Sequence, residues 1–519
     1  MPRPREAARP LLAALAIAAV SAVRVVVFGL LDRRPLYGGW EAPDLQRSMF
    51  YHYGLRGHLD WTFAEQVARD AFKPPLWYGG VPLLYSWDDS LHRLDYLLPN
   101  ALCAGALVLG GFALGRRLGG PIAGLVSAAL CAVLPGIAWR VAMIGVEPAH
   151  AALLVGSLLL LVGLVQSARD GAAADCVVRG VGLGVCIGAA TLMKWNFVAY
   201  VTPPLVLSVL VVGREGLGRL GLGLLAAGGF AAAIFGPWAL GFADLGEIFA
   251  QGADGEASQA GAGYYLSELA GRSLGLGGWA ALVAAAFGLW RGISPTLGSA
   301  APRPRVEAGI LGAAVLALWL THLAIPHKET RYLLPALPLL CALLGGAAAR
   351  LAPLRGGGLA LTLILLVGLG GSWIHPLLDE PATNHNWTDV LPAPIDEDYG
   401  VDGILAHPTL GERERTVVTF SLREEAIFPV LTFLQWELYG RNANPVLSRS
   451  SWPDVTLKAC AFDLERSTHF LSNRTLNDQE EAALRSMGFE RVVTVAPRVQ
   501  DVGVLQLWAL EERSEPRYR

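Results

Sequence analysis

The sequence predicts a polytopic α-helical membrane protein with a C-terminal soluble α/β domain, and three observations carry that reading. Hydrophobic residues make up 53% of the 519 residues against 16% charged, and mean hydropathy is +0.43, a balance that belongs to membrane proteins. Apolar runs of spanning length recur through residues 1–375. From Asp379 onward the runs stop and charge density rises, so residues 376–519 form a second, soluble unit.

Taken in order, the first run is Leu11–Leu31, which has no clear signal-peptide cleavage site and reads as a retained span. Further runs stand at Leu97–Leu114, Pro121–Ala138, Pro148–Val165, Val177–Met193, Phe197–Val212, Leu220–Leu240, Leu274–Trp290, Ala308–Ile325, Tyr332–Ala348 and Leu359–Trp373, about eleven helices in all. The linkers set the topology. Arg3, Arg5 and Arg9, Arg116-Arg117, Arg169 with Arg179, Arg214 with Arg219, Arg291 with Arg303 and Arg305, and Arg350 with Arg355 fall on one alternate set of ends. The positive-inside bias makes that set cytoplasmic, with the N-terminus. The opposite ends then face outward: residues 32–95, the turn Arg140–Glu147, the Lys194 turn, Gly241–Ser273, the turn His327–Arg331 and the C-terminal domain. Arg24, inside the first span, and Arg33-Arg34, at its outer end, do not follow this rule.

In the C-terminal domain, Arg415–Phe420, Val455–Phe462, Ser467–Leu471, Arg491–Val495 and Val504–Trp508 read as short strands. Phe428–Tyr439 and Asp478–Met487 read as helices between them, which suggests a small α/β domain. It carries no nucleotide-binding glycine loop and reads as a packing or acceptor-docking module. The net charge of −3 and the scattered basic residues argue against nucleic acid as a partner. Six cysteines, mostly inside apolar runs and without metal-ligand spacing, read as inert filling.

Polar chemistry concentrates on the outward side. The loop at 32–95 holds Glu41, Asp44 and Asp60, an aromatic segment Met49–Tyr53, and Lys73-Pro74-Pro75-Leu76-Trp77-Tyr78. Carboxylates there can take a proton from an acceptor, the lysine can hold a phosphate, and the Pro-Pro pair fixes the backbone between them. The chain has four lysines, and three of them, Lys73, Lys194 and Lys328, stand at outer ends of spans, where a compact ammonium suits phosphate. The turn His327-Lys328-Glu329-Thr330-Arg331-Tyr332 packs three basic-capable side chains between two spans, a density that favours an anionic ligand over snorkelling. Glu147, seven residues after Arg140, either neutralises that arginine or joins the active site. Tyr264-Tyr265 fits an interfacial aromatic belt, with stacking on a sugar as the alternative. Asp88-Asp89 reads as a solvated turn rather than a metal site.

These residues together resemble the GT-C superfamily of membrane glycosyltransferases. The likeness rests on an acid in the first outer loop, Lys73–Tyr78, Leu192-Met193-Lys194-Trp195 at a span junction, Gly236-Pro237-Trp238, and Arg331-Tyr332-Leu333-Leu334-Pro335. It is nearest to the protein O-mannosyltransferase and aminoarabinose transferase group (glycosyltransferase family 39 type) and covers about residues 10 to 375. His327–Tyr332 is also similar to the His-Lys-Glu-Glu-Arg-Phe turn of eukaryotic lipid-linked mannosyltransferases. The resemblance implies a GT-C fold and a polyprenyl-phosphate sugar donor used on the outer face of the membrane. It implies Asp44 as the general base, with Glu41 as the alternative catalytic carboxylate, and Lys73, Lys328, Arg331 and His327 on the donor phosphate. Glu147, Arg140, Lys194, Tyr78, Tyr265 and Tyr332 are the expected lining of the substrate site. Many relatives carry adjacent Asp-Glu in the first loop, whereas Asp44 here precedes Leu45. The base is therefore open between Asp44, Glu41 and Asp60. Relatives that transfer oligosaccharide usually use a divalent metal held by further acids, and a full set cannot be placed here, so metal dependence stays open.

The function expected is transfer of a sugar to an acceptor hydroxyl on a lipid, protein or glycan, with inversion. Composition rich in Ala, Gly and Arg points to a bacterial inner membrane. The alternatives are a transporter or flippase of a lipid-linked or anionic solute and a non-catalytic scaffold. Transporters place ionisable groups near the midplane and often show internal repeats; here the charges collect at the outer boundary and no repeat is evident.

Overall fold

A computed structural model describes residues 4–31, 48, 51, 63–69, 74–85, 93–143, 145–242, 264–292, 302–324, 330–351, 357–369, 403–404, 407–410, 418–421, 450–451, 467–472, 475–496 and 504–510. Its long helices are α1 (Pro4–Leu31), α2 (Arg93–Val133), α3 (Glu147–Asp170), α4 (Ala173–Met193), α5 (Phe197–Val211), α6 (Arg214–Gly241), α7 (Gly275–Gly292), α8 (Pro302–Ala324), α9 (Leu337–Ala348) and α10 (Gly357–Leu369). Each of the eleven predicted runs overlaps one of these helices, although Tyr332–Ala348 begins on a 3-10 turn and Ile325 and residues 370–373 lie outside the described residues. Six of the helices are long and apolar enough to cross a membrane by length and composition. The runs Leu97–Leu114 and Pro121–Ala138 both lie along α2, and its second half is extended by a short helix at Pro135–Ala138. The apolar stretch Leu97–Val133 is 37 residues long, about 55 Å if straight and too much for one crossing. It turns at Gly119 and Gly120, where Gly120 has φ +80°, a conformation that glycine adopts without steric cost.

Close helix packing comes from small residues. Gly180, Gly184 and Gly188 repeat at four-residue spacing on α4, and Gly223, Ala227 and Ala231 of α6 meet them backbone to backbone. Lipid offers no hydrophobic drive between helices, so such close approach supplies the van der Waals contact instead.

Four of the described arginines from the arginine-rich ends make their contacts at one end of the bundle. Arg169 donates to the Val211 carbonyl, Arg219 Nε donates to the Ala168 carbonyl at 2.8 Å, and Arg179 Nε donates to Ser167 Oγ at 3.1 Å. Arg117 pairs with Glu307 at 3.6 Å. Arg169 and Arg219 therefore satisfy carbonyls at helix C-termini, which α-helices leave without partners, in addition to the orienting role expected of them.

Arg24 also finds its place. Its Nη1 donates to the Ala138 carbonyl at 2.6 Å, and Asn100 Nδ2 donates to the Met143 carbonyl. Two side chains from α1 and α2 thus hold the irregular stretch that leads into Glu147, as backbone at membrane depth requires. Arg24→Leu removes a charge-assisted bond of about 1.5–3 kcal/mol. The melting temperature of the purified protein in detergent is expected to fall by several degrees, and an unchanged value would overturn the capping role.

The C-terminal described residues form a five-stranded sheet: β1 (Val418–Ser421), β2 (Ser450–Ser451), β3 (His469–Ser472), β4 (Phe489–Val495) and β5 (Leu505–Leu510), in the order β2-β1-β3-β5-β4. β1 runs parallel to β2 and β3, while β5 is antiparallel to β3 and β4. Phe470 and Trp508 pair across β3 and β5 and pack with Leu476, Leu484 and Phe489. Helix α11 (Asp478–Ser486) begins with a capping box between Asn477 and Glu480. Four of the predicted strands overlap β1, β3, β4 and β5, and α11 matches the predicted helix. The predicted strand Val455–Phe462 and helix Phe428–Tyr439 lie outside the described residues.

Candidate active site

Glu147 is the first residue of α3, with Pro148 behind it in the first turn. An acid there faces the positive end of the helix dipole, and Pro has no N–H to leave unpaired. Its carboxylate is buried and folds back over Gly145, where an added Cβ would stand 2.9 Å from Oε2; any side chain at 145 displaces it. α4 ends at Met193, and the Lys194 N–H donates to the Ala190 carbonyl before the chain turns extended. That turn carries Lys194 Nζ to 3.3 Å from Glu147 Oε1. Arg331, on a 3-10 turn at Thr330–Leu333, places its Nε 3.5 Å from the same oxygen. One carboxylate thus faces two cations, and the trio carries net positive charge in an enclosed place.

The ring of Tyr332 completes this group. Lys194 Nζ stands 4.3 Å from its centroid and Arg331 Cζ 5.4 Å, both within cation–π range. His322, at the end of α8, lies parallel to Tyr332 with centroids 5.1 Å apart and planes 8° apart. Behind it, His322 Nε2 lies 3.0 Å from the Tyr200 hydroxyl, which accepts a bond from Asn196 Nδ2 at 2.8 Å. His150, one turn below Glu147 on α3, sets its ring edge-on to Phe197 and Tyr200 at 4.9 and 5.6 Å.

The structure therefore brings together Glu147, Lys194, Arg331 and Tyr332 from three separate elements. The two cation partners of Glu147 are Lys194 and Arg331, so the option that it serves to neutralise Arg140 is replaced. Arg140 is buried in the 3-10 turn Arg140–Ala142, on the stretch that leads to Glu147. Tyr265 is 1% exposed and packs on Tyr264, Trp319 and His322, so it belongs to the aromatic wall behind the site and not to an interfacial belt. Tyr78 is buried on the short helix Leu76–Tyr85, which packs against α2 and α4. Glu41, Asp44, Asp60, Lys73, Asp88, Asp89, His327 and Lys328 lie outside the described residues. Among the described residues no three of His, Cys, Asp and Glu stand together as a divalent cation requires.

Sequence reasoning missed His150, Asn196, Tyr200 and His322. Two signals were available. Histidines inside apolar spans are costly enough to need a use, and His150 sits three residues after Glu147, on the same helix face.

No protein-family model matches the chain, and no curated protein does. Solved structures do. ArnT from Cupriavidus metallidurans in the apo state superposes with a TM-score of 0.60 at 15% identity, over 95% of this chain and 97% of that one. The same protein bound to undecaprenyl phosphate gives 0.59 at 16% identity, over 97% and 98%. An oligosaccharyltransferase from Archaeoglobus fulgidus, solved with zinc and sulfate, gives 0.50 at 12% identity, over 89% of this chain and 68% of that one. The fold is shared with these GT-C glycosyltransferases over nearly the whole chain, as the sequence resemblance implied.

Proposed function

We propose that this multi-pass membrane protein transfers a sugar from a polyprenyl-phosphate donor to an acceptor hydroxyl. The observation that carries the proposal is the Lys194–Glu147–Arg331 group against Tyr332, a net-cationic site at the end of the bundle opposite the arginine-rich one. It stands in a fold shared with ArnT, a protein solved with undecaprenyl phosphate bound. By the charge distribution of the linkers, the site faces outward from a bacterial inner membrane, with the N-terminus cytoplasmic. Residues 1–375 form the transferase domain, and residues 376–519 an outward α/β domain.

The chemistry follows from the charges. The acceptor hydroxyl attacks the anomeric carbon as the bond from that carbon to the donor phosphate oxygen breaks. Its proton passes to a first-loop carboxylate, Asp44 or failing it Glu41, and polyprenyl phosphate leaves with the bonding electrons. Arg331 and Lys194 face the charge that develops on the phosphate, joined by Lys73, Lys328 and His327. A single displacement inverts the anomeric centre. The acceptor is a lipid, protein or glycan hydroxyl. A flippase would need no proton acceptor beside the phosphate site and no chemical turnover.

The test is transfer of labelled sugar from polyprenyl-phosphate donors to total membrane acceptors by the purified protein. Labelled product is expected, and translocation of the donor without any product would move the assignment to transport. Arg331→Ala and Lys73→Ala are each expected to weaken polyprenyl-phosphate binding about 10- to 100-fold, the worth of one charge-assisted bond. Normal affinity in both would remove these residues from the phosphate site.

A further inference from the structure

We infer that His322 is a positioning residue which, held by Tyr200 and Asn196, fixes the Tyr332 ring against the two site cations and so sets affinity for the donor phosphate. The inference rests on the proposed function and adds to it a buried side chain that need not touch the substrate. Tyr332 sits on a single 3-10 turn, Thr330–Leu333, and so short an element does little to fix its own side chains. Yet its ring meets Lys194 Nζ at 4.3 Å and Arg331 Cζ at 5.4 Å, contacts whose strength depends on where the ring face points. The orientation must come from elsewhere.

His322 supplies it. The residue is 3% exposed, and its plane lies 8° from that of Tyr332. A flat apolar ring alone could slide or tilt at that contact. An imidazole is pinned by a directional bond, and here Nε2 lies 3.0 Å from the Tyr200 hydroxyl. Asn196, the N-cap of α5, donates to that hydroxyl at 2.8 Å, and the Tyr265 ring, 5.9 Å from His322, packs beside it. α5, α8 and the helix Tyr264–Glu268 therefore converge on one imidazole, and the imidazole on Tyr332. A histidine inside an apolar span is expensive, and the cost has a use if the ring plane is what it secures.

The test compares full-length wild type with His322→Ala, His322→Phe and Tyr200→Phe. Donor KM and kcat are measured in the sugar-transfer assay, and Kd for polyprenyl phosphate is measured by direct titration. His322→Ala is expected to raise donor KM and Kd about tenfold with kcat nearly unchanged. His322→Phe, which keeps a stacking ring but loses the bond to Tyr200, should recover only part of that loss, to about the threefold rise in both constants expected of Tyr200→Phe. Unchanged KM and Kd in His322→Ala, or a phenylalanine variant no better than alanine, would overturn the inference while leaving the transferase reading in place. If the alanine variant does not fold, Tyr200→Phe with wild-type KM and Kd overturns it equally. A wild type that neither binds polyprenyl phosphate nor transfers sugar overturns the functional reading, and this inference with it.

Discussion

Asp44→Asn is expected to lower the sugar-transfer rate about a thousandfold while leaving polyprenyl-phosphate affinity within a factor of about two, because general-base catalysis is worth roughly 10²–10⁴ in rate. The substitution keeps the shape of the side chain and removes only its ability to take the acceptor proton. In the proposed reaction phosphate affinity is assigned to separate side chains, Lys194 and Arg331 among them, which meet on Glu147. A carboxylate added to a cationic site weakens anion binding if it has any effect, so the two readouts separate base from ligand. A transfer rate within a few-fold of wild type would remove Asp44 from the role. Glu41→Gln is then the next variant, followed by Asp60→Asn. Loss of rate together with loss of affinity would instead mean that Asp44 organises the loop around it.

The transmembrane part of the fold was legible because spanning length is a strong physical constraint, and each of the eleven apolar runs overlaps a described helix. What the pattern could not show was how runs join. Leu97–Leu114 and Pro121–Ala138 share one helical stretch, turned at Gly119-Gly120, because a two-glycine break leaves no polar linker of its own. Arg24 broke the charge rule for a tertiary reason, since the carbonyl it caps lies 114 residues away. Half of the site could be read from charge at span boundaries: Glu147, Lys194 and Arg331 are ionisable groups where such groups are costly. His150, Asn196, Tyr200 and His322 are not the fixed charges that a search of span boundaries picks out, and their hydrogen bonds and ring contacts exist only once α3, α5 and α8 pack. In the C-terminal sheet, β2 is two serines, too short and too polar for alternation to reveal.

Glu147→Gln is the second large effect, and its two readouts should move in opposite directions. Glu147 is buried against two cations, and removing one partner of a buried ion group costs about 3–5 kcal/mol because the remaining charges lose their compensation. The melting temperature of the unliganded protein should fall by about 5 °C or more. The site itself gains a unit of positive charge, and a donor phosphate no longer has to compete with a carboxylate for Lys194 and Arg331. Affinity for polyprenyl phosphate should therefore rise about tenfold or more, with a steeper dependence on ionic strength, and saturating ligand should return part of the lost stability. Adding Lys194→Met to Glu147→Gln restores the original net charge of the group. The double variant should be more stable than Glu147→Gln alone, a non-additivity expected of residues in contact. If Glu147→Gln instead leaves affinity unchanged and cuts transfer a hundredfold, the carboxylate takes part in the reaction rather than balancing charge. Glu147 then becomes a candidate for the proton acceptor, since it is the carboxylate that the described structure places beside Lys194 and Arg331.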